Sequence, residues 1–173
     1  SNSFERELSA SFLYYTTWTY SRIPDAIGGQ GSARPADFIC LLPEGACLVV
    51  EAKSVQRLSL PWVNVKPHQV EALLQCERMG HLAYLAINFR SPRFNEAYAV
   101  LMSEAVIYLE HGKRKSLPLA WCRSHGITLP RVTFEAEKDG KTKKTTGWDL
   151  RPILPDGPAL PPPPGVRVVQ PGQ

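Results

Sequence analysis

The chain has 173 residues, a mass of 19.3 kDa, a formal charge of +4 and a pI near 8.9, which suits one domain with a substantial core. With 43% hydrophobic and 21% charged residues and no apolar run near about 18 residues, membrane-spanning, fibrous and wholly disordered classes are excluded. The mild positive charge is compatible with a polyanionic partner without requiring one.

At the N-terminus, Ser1 to Arg6 show neither a basic n-region nor an apolar h-region, so no signal peptide is expected and the default location is cytoplasmic. Phe4, Leu8, Phe12 and Tyr15 recur at helical spacing and predict an amphipathic helix from Phe4 to Thr17. Ile23 to Pro35, rich in Gly, Pro and Ser, reads as an irregular connection. Two apolar runs, Asp37 to Leu42 and Cys47 to Ala52, flank Pro43-Glu44-Gly45-Ala46 and predict a hairpin.

Ser59 to Val65 reads as a mixed apolar connection carrying Trp62. A helix follows from Pro67 to Met79, opened by a proline suited to the first turn and stopped by Gly80. Leu82 to Phe89 predicts a buried strand and Ala97 to Met102 another. Ser103 is expected to cap a helix that runs through Glu110 to Gly112, and Ser116 with Pro118 to open a short helix ending at Gly126. Arg131 to Glu137 and Thr145 to Leu150 flank Asp139-Gly140, the dipeptide of a tight hairpin turn.

Eight of the sixteen prolines fall between Pro152 and Pro171. Such a composition predicts one domain over residues 1–151 and an extended, disordered proline-rich tail over 152–173, free from Pro155 onward. The expected fold is mixed α/β with a central sheet. Cys40, Cys47, Cys76 and Cys122 show no Cys-x-x-Cys pair and no zinc-type histidine spacing, so they read as reduced thiols. His68, His81, His111 and His125 likewise lack the spacing of a site and read as surface groups.

Chemistry points to Asp37, Glu51 and Lys53. Two carboxylates on adjacent strands can share a hard divalent cation such as Mg²⁺, and Glu51 and Lys53, two apart on a strand, leave by the same face. Phosphodiester hydrolysis uses such a group: the cation neutralises phosphate and lowers the pKa of water, while an ammonium orients the nucleophile and offsets developing charge. The bland alternative is that charged residues merely re-emerge at a strand end. The hairpin register discriminates, because Asp37 and Glu51 share a face only if paired residue numbers sum to an even value, through a three- or five-residue loop or a bulge.

Pro35-Ala36-Asp37 followed by Glu51-Ala52-Lys53 resembles the signature of the PD-(D/E)xK nuclease superfamily. Lys66-Pro67-His68-Gln69 at the start of a helix, Gly80 before a strand ending at Phe89, and Gly112 to Pro118 ahead of His125-Gly126 resemble the RecU-type Holliday junction resolvases, over about Phe4 to Arg131. The resemblance implies a restriction-endonuclease-like core, a mixed β-sheet flanked by helices. It implies Asp37 and Glu51 as ligands of Mg²⁺ or Mn²⁺, Lys53 as catalytic, Gln69 as an active-site residue, and Glu5 as a helical glutamate acting through water. By themselves Gln69 and Glu5 are explained by solvation and by the helix dipole.

The resemblance further implies a homodimer that cuts four-way DNA junctions symmetrically and leaves 5′-phosphates, in a bacterial or phage-infected cell and with no membrane partner. One departure is plain: where RecU proteins carry a long stalk, this chain has only Arg22 to Ala36. Candidate DNA contacts are Arg22, Arg34, Lys66, the cluster Lys113-Arg114-Lys115, and Lys141, Lys143 and Lys144, which would hold phosphates without reading sequence. The alternatives are a nuclease of the same superfamily acting on ordinary or branched duplex, and a DNA-binding protein that no longer cuts.

Overall fold

A computed structural model describes residues 2–15, 20–22, 36–42, 45–155, 157 and 160–171. The elements, in chain order, are α1 (Ser3–Tyr15), β1 (Tyr20–Arg22), β2 (Phe38–Leu41), β3 (Cys47–Val55), β4 (Ser59–Pro61), α2 (Pro67–Arg78), β5 (Leu82–Ser91) and β6 (Phe94–Leu101). There follow α3 (Met102–His111), β7 (Ser116–Pro118), α4 (Leu119–His125), β8 (Ile127–Leu129), β9 (Arg131–Lys138), β10 (Lys141–Trp148) and β11 (Val166–Val169). Six strands form the central sheet in the order β1-β2-β3-β5-β6-β8. It is mixed: β3 and β5 run parallel, joined by the α2 crossover, and the other neighbours are antiparallel. The α/β, restriction-endonuclease-like architecture expected from the sequence is the one observed.

Helices cover both sides of the sheet, which is why β5 is apolar almost throughout. On one side Phe4, Leu8 and Phe12 of α1 pack with Phe38, Val50, Phe134 and Trp148. On the other, Leu73 of α2, Ala105 of α3 and Cys122 of α4 pack on Val49, Leu85 and Ile87. All four cysteines are free thiols, and burial raises the Cys122 thiol to about 12, leaving it inert as a nucleophile. No described helix is long and apolar enough to cross a membrane.

Three local expectations differ from the structure. Ser103 does not cap α3; the helix begins at Met102, and both the N–H and the Oγ of Ser103 donate to Glu77 of α2, at 2.9 and 2.7 Å. A carboxylate from a neighbouring helix satisfies the donors a local cap would have served. Ser116 to Pro118 is strand β7, paired with β4, and α4 starts only at Leu119. Short segments with proline at their ends carry little propensity, so the partner strand decides them.

The third difference concerns the proline-rich end. Ile153 and Leu154 are buried in the core, Leu160 packs against it, and Val166 to Val169 pair antiparallel with β9. Val166 and Val168 stand opposite Ala136 and Phe134 in this register. The segment's own composition predicts a free tail from Pro155, but the edge of β9 supplies the hydrogen bonds and the apolar face that the segment lacks. The irregular connection expected from Ile23 to Pro35 lies outside the described residues.

Glu7 fastens α1 to the strands. Its carboxylate accepts from Arg90 at 2.6 Å and from Trp148 Nε1 at 2.9 Å, with Arg131 at 3.4 Å. Burial alone would raise its pKa, but the bonds from Arg90, Trp148 and Arg131 outweigh that and hold it below the usual carboxylate range. Glu7→Gln should therefore cost about 1–3 kcal/mol in chemical denaturation at neutral pH. Because the folded pKa is the lower one, this contribution is present above the unfolded pKa and fades as the pH falls through the folded one, so native and variant chains should converge in acid.

Candidate active site

The site grows from the β2–β3 hairpin. Phe38 pairs with Val50, Ile39 with Val49, Cys40 with Leu48 and Leu41 with Cys47. Every pair sums to an even number, and a five-residue loop closes the hairpin with Gly45 at φ +87°, a conformation that favours glycine. This is the parity that sets Asp37 and Glu51 on a common face. Asp37 occupies the bend just before β2; its N–H donates to the carbonyl of Val50 at 3.1 Å and its Oδ2 accepts from the N–H of Ala52 at 2.8 Å. The side chain thus takes the place that a backbone carbonyl would fill if β2 continued.

Along β3, Val49, Glu51, Lys53 and Val55 point to the side covered by α2, since Val49 and Val55 join that core. Glu51 is 1% exposed and Asp37 wholly buried, an arrangement that is costly for carboxylates unless partners or a cation compensate. Glu51 Oε1 accepts from Lys53 Nζ at 2.9 Å and from Gln69 Nε2 at 2.7 Å. Gln69, buried in the first turn of α2, is itself oriented by its Oε1, which accepts the N–H of Lys66 at 3.0 Å. Both ends of the amide are engaged, so its orientation is fixed by its neighbours.

Asp37, Glu51, Lys53 and Gln69 therefore stand together. The bonds just described engage one oxygen of each carboxylate, and both side chains are buried. Two hard oxygen donors from protein, with the remaining positions left to water and phosphate, suit Mg²⁺ or Mn²⁺. Among the described residues no three His, Cys, Asp or Glu side chains converge on a metal position. Glu5 stands in the first turn of α1, whose Phe4, Leu8 and Phe12 pack into the core on the side of the sheet opposite α2, and its N–H is capped by Asn2 Oδ1 at 2.9 Å.

The candidate DNA contacts separate into groups. Lys66 is the exposed residue preceding α2 and abuts the site through Gln69. Lys113, Arg114 and Lys115 are exposed beyond α3. On the β9–β10 hairpin, whose turn residues Asp139 and Gly140 both have positive φ, Lys141 and Lys143 share a face, while Lys144 lies on the other and meets Glu135 at 3.6 Å. Arg22 is placed in β1 opposite Phe38, with its side chain outside the description; Arg34 lies outside the described residues altogether.

The small β4–β7 sheet joins a segment whose sequence reads as a connection, Ser59 to Val65, to one that reads as a helix start, Ser116 to Pro118, and brings Trp62 against Lys115: the Trp62 N–H donates to the Lys115 carbonyl at 2.8 Å. No local signal marks that pairing.

No curated protein matches the chain. Comparison with protein families gives Recombination protein U, RecU, over residues 30–136, well over half of the chain. Since that span contains Asp37, Glu51, Lys53 and Gln69 in the order and setting described, the chain belongs to the RecU family, a membership that implies nuclease action on Holliday junctions.

Proposed function

We propose that this chain is a metal-dependent, structure-selective endonuclease that resolves four-way DNA junctions by paired symmetric hydrolysis, as a homodimer, leaving 5′-phosphates. The observation that carries the reading is the buried carboxylate pair, Asp37 and Glu51, joined to Lys53 and Gln69 on one side of the sheet. Asp37 and Glu51 would hold Mg²⁺, with Mn²⁺ as a substitute. When bound, such an ion supplies charge neutralisation at the phosphate and a water of lowered pKa.

The rest is done by the chain itself. Lys53, 20% exposed and anchored on Glu51, presents its ammonium where charge develops on the phosphate oxygens and orients the attacking water. Gln69 fixes the rotamer of Glu51, and Lys66 N–H fixes Gln69, so the ligand geometry is set before DNA arrives. Glu5, in the first turn of α1, would contribute through water. Lys66, Lys113 to Lys115, and the hairpin lysines would hold the arms by their phosphates. A junction offers two scissile phosphates related by a two-fold axis, and a two-fold dimer presents two such sites in matching orientation. The setting would be the cytoplasm of a bacterium or a phage-infected cell.

The deciding experiment incubates the chain with a labelled four-way junction and Mg²⁺, with a linear duplex of the same arms alongside. Symmetric nicks in the junction alone are expected. Equal cutting of the duplex would replace the reading with a nuclease of broader substrate, and binding without cutting would leave a DNA-binding protein.

A further inference from the structure

Beside the candidate active site lies a groove of about 850 Å³, within the size range of pockets that take small organic groups. Its apolar lining is Trp62, Val63, Val65 and Val70, and its cationic lining is Lys66, Arg114 and Lys115. Val63 is 79% exposed and Trp62 half-buried. The acidic lining residue, Glu71, is bound by Arg78 at 2.7 Å, so the field in the groove is positive.

Arg114 is held in place before any ligand arrives. Its guanidinium lies 4.2 Å from the centroid of the Tyr108 ring and donates to the Tyr108 carbonyl at 3.0 Å; Tyr108 in turn packs on Trp121, with ring centroids 4.9 Å apart. Gly112 makes the room, because a Cβ there would come within 2.0 Å of the guanidinium. A guanidinium fixed in this way loses little further entropy on meeting a phosphate. The first turn of α2 is shared with the site: Lys66 lines the groove, and its N–H is bonded to Gln69, which is bonded to Glu51.

We infer that this groove receives an unstacked nucleotide from the branch point of the DNA, its base against Trp62 and Val63 and its phosphate against Lys66, Arg114 and Lys115. The inference rests on the nuclease reading above and adds to it a means of telling a branch from a duplex. An aromatic face beside cations is the arrangement that binds single-stranded nucleotides without reading sequence. A continuous duplex keeps its base faces stacked inward, so only a branch can offer one. A second copy of the chain fits less well, since an isologous contact here would bring Lys66, Arg114 and Lys115 against their own counterparts.

The test is fluorescence anisotropy with a labelled four-way junction and a labelled linear duplex of the same arms, in Ca²⁺. Trp62→Ala should weaken junction binding roughly tenfold or more and leave duplex binding unchanged, while Trp62→Phe keeps most of the affinity, as expected for base stacking. Undiminished junction binding by a folded Trp62→Ala chain overturns the inference, as does an equal loss for both DNAs. A loss that follows a dimer-to-monomer shift in sedimentation also overturns it, assigning the groove to a second copy. Should Trp62→Ala not fold, Arg114→Ala carries the test: junction affinity should fall and the preference over duplex narrow, and an unchanged preference overturns the inference. Failure of the native chain to cut the junction would instead defeat the nuclease reading, so the two failures are distinguishable.

Discussion

Asp37→Asn is expected to abolish Mg²⁺-dependent cutting of a four-way junction, by roughly a thousandfold or more, while junction binding stays largely intact. The magnitude corresponds to the several kcal/mol of charge stabilisation that a catalytic metal provides. Folding should survive, because the amide keeps the shape of the carboxylate and its carbonyl can still accept from the Ala52 N–H, as Oδ2 does at 2.8 Å. Removing one negative charge from a wholly buried position also lessens the desolvation cost. What is lost is one of two hard anionic donors. Cleavage assayed against rising Mg²⁺ and Mn²⁺, with anisotropy on the same junction, checks both halves; cutting at the native rate would remove Asp37 from the site.

Lys53→Met carries the second large effect, a fall of roughly 10²–10³-fold in the cleavage rate at saturating Mg²⁺, the scale of losing one preorganised group that meets developing charge. Methionine preserves most of the apolar stem and removes only the ammonium. Two roles for Lys53 are compatible with its 2.9 Å contact to Glu51: neutralising that buried carboxylate, or acting on the phosphate. They separate by metal titration. If neutralisation were all, Mg²⁺ would take over that role and restore the rate at high concentration. A defect that persists at saturation assigns Lys53 to the reacting groups.

Much of the molecule was legible along the chain because its longer elements satisfy one local rule each. The spacing of Phe4, Leu8 and Phe12 marks α1, Gly80 with φ +85° stops α2, and Asp139-Gly140 with both φ positive turns the β9–β10 hairpin. The even parity needed for Asp37 and Glu51 could be stated in advance, but the loop sequence admitted three, five or a bulged number of residues. Packing chose five, since that register directs Phe38, Cys40, Leu48 and Val50 together into the α1-side core.

Local rules failed where a distant partner supplied what the segment lacked. Local rules make Ser103 a cap, but it donates to Glu77, twenty-six residues away; they make Ser116 to Pro118 a helix start, but it is a strand through pairing with Ser59 to Pro61. The composition of the proline-rich end alone predicts a free tail, whereas β9 pairs with its Val166 to Val169.

By itself the sequence determined which groups are available: an acid before one apolar strand, an acid and a lysine two apart on the next, a glutamine opening a helix. Those identities and the period-two alternation limit the chemistry to an oxygen-bound hard cation beside an ammonium. Only the tertiary structure decided which of them meet. Gln69 reaches Glu51 because the crossover lays α2 over β3, while α1 packs its apolar face on the opposite side of the same sheet. The reason is that a side chain's direction follows from local backbone period, but which side chains face one another depends on pairing between strands far apart in the chain, set by the total apolar surface each arrangement buries.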